Sequence, residues 1–409
     1  MVTTSPPRAA GSRADLLRWR MTALGLTCAI DGGDPGATGA DLVTAVGRHM
    51  MALQGQDWPA AQWALGVRAP GTTSADVRSA FDAGRLVRSW PMRGTVHVTP
   101  AEDIGWIQCA TSHRVLPGAA KRRAQIGLDD ESLRHMADVA VDLLTGGGAA
   151  SRETLARAWI DAGIEVRGPW RYHVVWWLCQ NGILVQGPAP DGEPLLVLAD
   201  EWITAPRALE GEEALAELAY RFVAAHGPVL DRDLAWWTGL SLTEARRGIS
   251  AAAASGRIVS VDIEARTHWA RPELLDGPVG SSASADRLLL LPGFDEHLLG
   301  YADRSAAVDP QHFPLLVPGR NGVFRATVVD GGRVVGTWQR SRRADGVWIT
   351  VSPFPGRRLS ARRVAPAARR WAEFTGTLLA GVDVAAVDRG RTEGVDRRRP
   401  ANYVISGGT

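Results

Sequence analysis

Lysine is almost missing from this chain of 409 residues: Lys121 stands alone, so 45 of the 46 basic residues are Arg. Any chemistry that needs a lysine amine has one candidate. Cysteine is scarce too. Cys28, Cys109 and Cys179 lie far apart with no CxxC, which excludes a disulfide scaffold and a zinc finger and fits a reducing cytosol. The net charge is only +2, which excludes a bulk polycation. It leaves room for a local basic face, because net charge says nothing of where charges sit. No apolar run is long enough for a membrane span. The opening MVTTSPPRAAGSRAD has no apolar core, so it does not read as a signal peptide. The nine His are scattered, with no pair at i, i+3 or i+4. There is no P-loop, no GxGxxG after a strand and no GxSxG. No metal and no cofactor are expected.

What is present is ordinary globular composition, 45% apolar and 22% charged, over a length that suits two to four domains. Three segments share one grammar: a leading helix pattern, a second, a third ending at Gly, then strand, loop and strand. In the last of them, Glu212 to His226 carries Leu215, Leu218 and Phe222 at helical spacing. A short helix through Asp233–Trp237 follows. Ser241 with Glu244 has capping-box spacing. The helix it opens runs to Ser255, with strands at 257–261 and 268–270 beyond. The middle segment starts near Asp129, breaks at Gly146–Gly148, reopens at Ser151 and has a third helix over 172–180. Strands at 183–185 and 195–198 end it. The first has a helix over 74–83, a strand from Leu86, a turn at 91–94 and a return over 95–98.

Side by side the junctions read Gly84-Arg-Leu-Val, Gly182-Ile-Leu-Val and Gly256-Arg-Ile-Val. Three helices and a hairpin form the winged-helix arrangement, and three copies in tandem form a repeat architecture. The fold class is therefore α+β, with units over 1–128, 129–207 and 208–276. A linker follows at 276–285. A β-rich domain over 286–387 has strands expected at 287–291, 323–329, 333–339 and 347–351 and a last helix over 360–379. The tail from 388 to 409 reads as loose.

A winged helix usually meets DNA with its third helix. The candidates here are weakly basic: Arg78 in the first, Arg171 and His173 in the second, Arg246 and Arg247 in the last. Stronger basic runs lie elsewhere, in Lys121-Arg122-Arg123 and at Arg340, Arg342 and Arg343 on a predicted hairpin tip, which suit phosphate contact or plain solvation. Asp295 and Glu296 adjoin on a loop and can serve as acid and base, or cap a helix and pair with Arg. Arg93-Gly-Thr95-Val-His97 enters a strand, with Thr95 and His97 on one side, either facing a cleft or forming an ordinary wing. Gln54 and Gln56, one residue apart on an extended loop, face one way. Two amides of this kind are too weak for general bases but can position a water.

Those residues resemble one family. Gln54-Gly-Gln56-Asp57 with Ala61 and Arg68, Arg93-Gly-Thr95-Val-His97, the run Leu291 to Arg304, Asn321-Gly322 and Gly336-Thr-Trp338 with Arg340 are similar to the winged-helix DNA glycosylases of the AlkZ/YcaQ type. The resemblance spans about 16–379. It implies three tandem winged helices and a C-terminal barrel-like part around a DNA channel, with Arg93 among the DNA contacts. It implies that Gln54 and Gln56 are the catalytic pair, in the Gln-x-Gln form linked to self-protection in antibiotic producers. Gly55 is smaller than the apolar residue usual in the middle, which predicts a looser loop. The implied substrate is double-stranded DNA with an alkylated purine, an N7-alkylguanine, excised by a monomer acting at the nucleoid in the cytoplasm. A non-catalytic DNA-binding regulator built from the same units is the alternative, and an interaction scaffold comes third.

Overall fold

The computed structural model describes residues 8–30, 34, 36–190, 192–276, 287–319 and 322–385; the linker at 277–286 and the tail from 386 lie outside the described residues. A strand, β1 (Arg8–Gly11), and a helix, α1 (Arg13–Ala23), come first. The first stretch then runs α2 (Gly39–Met50), β2 (Leu53–Gln54), α3 (Trp58–Gly66), α4 (Ser74–Asp82), β3 (Leu86–Met92) and β4 (Thr95–Pro100). Two helices not foreseen, α5 (Ile104–Thr111) and α6 (Pro117–Ile126), lead to the second. It comprises α7 (Asp130–Leu144), α8 (Arg152–Asp161), α9 (Gly168–Gln180), β5 (Leu184–Gln186) and β6 (Leu196–Leu198), closed by α10 (Ala199–Trp202). The third comprises α11 (Gly211–His226), α12 (Asp231–Thr238), α13 (Leu242–Ala254), β7 (Val259–Ile263) and β8 (Arg266–Ala270), closed by α14 (Pro272–Asp276).

Local chemistry explains the helix starts. Thr38 with Asp41, Thr73 with Asp76 and Ser241 with Glu244 each form a reciprocal capping box, and Asp57, Asp129 and Ser151 each cap the third amide beyond them. Between the first and second helix of each stretch, one short piece pairs with the returning strand. In the first it is β2 with β4; in the others it is Ala150 with Leu196 and Val229 with Trp269.

The hairpins of the first two stretches fuse into one sheet, ordered β2-β4-β3-β5-β6, where Arg88 of β3 stands opposite Gln186 of β5. The N-terminal piece, grouped by sequence with the first unit, lies on the third. There β1 pairs parallel with β7, and the Arg20 Nε of α1 donates to the Pro228 carbonyl at 3.0 Å. Apolar side chains of the first and third stretches and the C-terminal part share one core, while most of the second stretch packs around Trp159 and Leu178.

The C-terminal part holds β9 (Leu289–Leu291), α15 (Glu296–Leu299), α16 (Phe313–Leu316), β10 (Thr327–Asp330), β11 (Arg333–Arg343), β12 (Gly346–Pro353), α17 (Ala361–Thr375) and β13 (Leu379–Val384). Here the expected barrel is corrected. The sheet is open, ordered β13-β12-β11-β10-β9. Closure would require β9 to pair with β13, but α17 packs against both of those edge strands. Its Trp371 meets Trp338 of β11, and its Phe374 meets Trp63 of α3. Several boundaries differ too; β11, expected to end at 339, runs to Arg343, so Arg340, Arg342 and Arg343 lie in the strand rather than at the hairpin tip. The strand expected from Val323 starts at Thr327, and the last helix stops at Thr375, where Gly376 turns left-handed at φ 64°. The unforeseen β13 is a weakly buried edge strand whose Gly381 lies under the Trp348 ring, so it carries little apolar pattern to read. No helix among the described residues is long and apolar enough to cross a membrane.

Candidate active site

Gln54 is the last residue of β2, and Gln56 and Asp57 lead directly into α3. The segment is built under strain at its start. Met51, which ends α2, has φ 61° and ψ −46°, and the Ala52 N–H donates back to the Met50 carbonyl at 2.7 Å. That is a γ-turn with positive φ, rare for a residue with a side chain, and such strain persists only where the surroundings enforce it. The enforcement is β4. Leu53 pairs with Val98, Gln54 with His97, and the Gly55 N–H donates to the Val96 carbonyl at 2.8 Å.

The looser loop expected from Gly55 is not what forms. A Cβ on Gly55 would lie 3.1 Å from the His97 carbonyl carbon and 3.2 Å from the Val98 nitrogen. Where the family pattern implies an apolar side chain, β4 has closed the gap. Arg88 then rivets the segment. Its Nε donates to the Gly55 carbonyl at 2.7 Å, Nη2 to the Gln56 carbonyl at 3.3 Å and Nη1 to Gln186 Oε1 at 2.7 Å. The Trp58 indole donates to the Gly192 carbonyl, and the Ala189 N–H donates to Asp82 at 2.8 Å. The Gln segment of the first stretch is thus held by the hairpin of the second. Sequence reasoning missed Arg88. The signal was a charged residue in the midst of the strand pattern Leu-Val-Arg-Ser-Trp-Pro-Met, every residue of which is buried.

Gln54 is buried, yet its Oε1 has no hydrogen-bond partner among the described residues; Gln56 is half-buried. His97 is fully buried. Its Nδ1 lies 2.9 Å from the Thr95 carbonyl, and its Nε2 has no partner among the described residues. Burial first, then the charge of Arg93, pushes its pKa down to about 4, against a weaker upward pull from Glu296 and the Thr95 carbonyl, so His97 is neutral at pH 7. The Thr95 hydroxyl donates to the Met92 carbonyl at 3.3 Å.

The other candidates separate by surroundings. Arg93, at φ 51° in the tight β3–β4 turn, donates to the carbonyls of Trp236 and Trp237 at 3.1 and 2.6 Å, capping the end of α12. Asp295 faces a fully enclosed Arg68, whose two Nη atoms reach its carboxylate at 2.8 and 2.9 Å. Asp295 also caps α15 through the His297 N–H. Burial works against its charge, but the paired guanidinium outweighs it and the carboxyl lies below the ordinary range. Glu296 is equally enclosed, accepting from the Trp237 indole at 2.9 Å and lying 3.3 Å from His226 Nε2. Burial opposes its ionisation, but the bond to His226, together with the electrostatic pull of His226 and His97 and the Trp237 indole, more than offsets that, and the carboxyl lies below its ordinary range. Both acids hold the core together, the capping-and-pairing alternative, and lie apart from solvent.

Among the basic residues, Lys121 and Arg122 are exposed on α6, while Arg123 pairs with Asp130 at 3.1 Å. At the end of β11, Arg343 pairs with Asp383 at 2.7 Å and stacks on Trp348. Arg340 lies over Trp371, and Arg342 is exposed with no hydrogen bond or ion pair seen among the described residues. Among the described residues, no group of three or more His, Cys, Asp or Glu is placed to hold a metal ion.

Comparison with known proteins adds a family to this geometry. The family model described as DNA glycosylase AlkZ-like matches residues 48–374. An interstrand DNA cross-link repair glycosylase of Streptomyces sahachiroi is 23% identical over 346 residues, covering 81% of this chain and 90% of that protein. The solved structure of the Streptomyces sahachiroi DNA glycosylase AlkZ is similar in fold, with a TM-score of 0.71 at 20% identity, covering 92% of this chain and 100% of that one.

Proposed function

This chain belongs to the AlkZ-like DNA glycosylase family, and from that premise we propose that it excises N7-alkylguanine from double-stranded DNA by directing a water to C1′, using Gln54 and Gln56. It is a DNA glycosylase, a hydrolase of N-glycosyl bonds. The observation that carries the finer reading is the Gln54-Gly-Gln56 segment itself. It lies inside the family match, its backbone is fixed by Arg88 and β4, and it carries a buried amide oxygen without a partner among the described residues.

The chemistry asks little of an acid. An N7-alkylguanine already carries a positive charge in its ring. When the C1′–N9 bond breaks, the base takes both electrons and leaves neutral. The sugar becomes oxocarbenium-like, water bonds to C1′, and one water proton passes to solvent. What remains for the protein is to hold that water and to tolerate charge at the sugar, a task of positioning that suits neutral amide oxygens. Bulky adducts and crosslinks belong to the same substrate class. The cross-link repair glycosylase named above favours that extension.

The three helix–helix–helix–hairpin stretches, each with a short pairing piece after its first helix, support reading them as tandem winged-helix units. Exposed Lys121, Arg122 and Arg342, together with Arg340, suit contact with phosphates. The catalytic segment is assembled wholly within one chain, which supports action as a monomer.

Single-turnover excision from DNA containing N7-methylguanine tests this. Gln54→Ala and Gln56→Ala should each slow excision about a hundredfold or more, with DNA affinity nearly unchanged. The double mutant should lose less than the sum, since both act on one water. Wild-type rates in the double mutant would remove both residues from the mechanism. Tight binding with no excision by the wild type would leave a DNA-binding regulator.

A further inference from the structure

Gln54 and His97 stand directly opposite each other across the β2–β4 ladder, so their side chains share one face of the sheet. Each is buried and each carries a polar atom with no partner among the described residues, Oε1 on Gln54 and Nε2 on His97. Buried polar atoms without partners are rare, and two on facing side chains call for a common cause. The tautomer of His97 identifies it. Its Nδ1 lies 2.9 Å from the Thr95 carbonyl, and a carbonyl can only accept, so Nδ1 carries the hydrogen. Nε2 therefore bears the lone pair. With Oε1 of Gln54 buried, the two unpaired atoms on these neighbouring side chains are both acceptors. A half-turn of the amide exchanges its oxygen and nitrogen at almost no change in shape and puts an N–H donor against the imidazole.

Resting on the reading of Gln54 as part of the excision site, we propose that His97 is a positioning residue: its Nε2 accepts a hydrogen bond from the Gln54 amide nitrogen, which turns the Gln54 carbonyl oxygen toward the DNA and the attacking water. The arrangement explains why the histidine is enclosed. It must stay neutral to accept, and its surroundings keep it so: burial first and then Arg93 disfavour a proton on the ring, against weaker pulls from Glu296 and the Thr95 carbonyl. It also gives Gly55 a use. The close approach of β4 behind Gly55 holds Gln54 in register with His97. An amide left free to rotate would present nitrogen and oxygen to the water in turn, and only the oxygen can accept a proton from it. Thr99 is the competing partner. It lies two residues along β4 on the same face, and its hydroxyl is also unpaired.

The experiment compares single-turnover excision of N7-methylguanine in five variants of the full chain, together with nitrogen-15 spectra of the side chains. His97→Phe fills the space but cannot accept. It should slow excision about tenfold or more while DNA affinity holds. His97→Gln, which offers a carbonyl acceptor, should recover most of the rate. In a Gln54→Ala background, His97→Phe should cost nothing further. In the wild type, the His97 Nε2 resonance should report an unprotonated, accepting nitrogen, and the Gln54 amide resonances should move in His97→Phe. A purely structural histidine would not move that resonance selectively. If His97→Phe does not fold, the wild-type spectrum and His97→Gln still decide. A proton on His97 Nε2, wild-type excision by His97→Phe, or an equal loss from His97→Phe with and without Gln54 would each overturn the proposal. So would Thr99→Val reproducing the loss while His97→Gln does not recover it. Wild-type excision by Gln54→Ala would instead overturn the site reading, and this proposal with it.

Discussion

Replacing Asp295 with Ala should unsettle the fold and spare the chemistry. Arg68 is fully enclosed; among the described residues it reaches, besides Asp295, only the carbonyls of Leu24 and Ala64, by Nε at 2.8 Å and Nη1 at 2.9 Å. Removing the carboxylate leaves a buried guanidinium with no counter-charge. Breaking one side of a buried pair in this way costs about 3–5 kcal/mol. Unfolding entropy near the midpoint is about 2.1 cal/mol/K per residue, so a cooperative chain of this size loses about 4–6 °C in Tm. Sixteen Trp make intrinsic fluorescence a suitable probe of the melt. The pH dependence has a definite sign. The folded pKa of Asp295 is depressed, so the pair contributes fully above the ordinary carboxylate pKa, and that contribution fades as pH falls through the folded value. The gap between wild type and Asp295→Ala should therefore narrow in acid. Excision per folded molecule should match the wild type, because the carboxylate is shut away from DNA. An unchanged Tm, or a folded variant without activity, would refute the structural assignment.

Gly55→Ala should lower stability by about 1–3 kcal/mol and slow excision, since its Cβ would press on the His97 and Val98 backbone; a neutral melt with normal rates would mean that β4 yields freely. Arg342→Ala should weaken DNA binding, reduce the salt dependence of log affinity by about one and leave the melt alone, whereas Arg343→Ala should also disturb the bond to Asp383. Binding unchanged by Arg342→Ala would assign that side chain to solvent. Borohydride should trap no covalent enzyme–DNA adduct, because the one lysine is exposed on α6, unlike a desolvated nucleophile, and the expected product is an intact abasic site; a trapped adduct at Lys121 would make the enzyme bifunctional.

The helices and hairpins of the three stretches were legible because their signals are local. Capping residues such as Ser241 with Glu244, the glycines that end the helices, and apolar spacing along Glu212 to His226 all act within a few residues. The reading of Gln54 and Gln56 as a site rests on family resemblance, since two amides one residue apart carry little physical signal by themselves. The tertiary structure decided the rest. Whether the C-terminal strands close depends on α17 lying across both edges, which no strand's own pattern encodes. Whether Asp295 is an acid or a clamp depends on Arg68, 227 residues away in sequence, arriving at 2.8 Å. Whether Gly55 loosens the loop depends on where the β4 backbone passes. Backbone propensity and capping are properties of neighbours along the chain, and a sequence displays them. Burial, charge pairing and hydrogen-bond satisfaction belong to neighbours in space, and here they turned two candidate acids into core and set a buried histidine opposite the Gln54 amide.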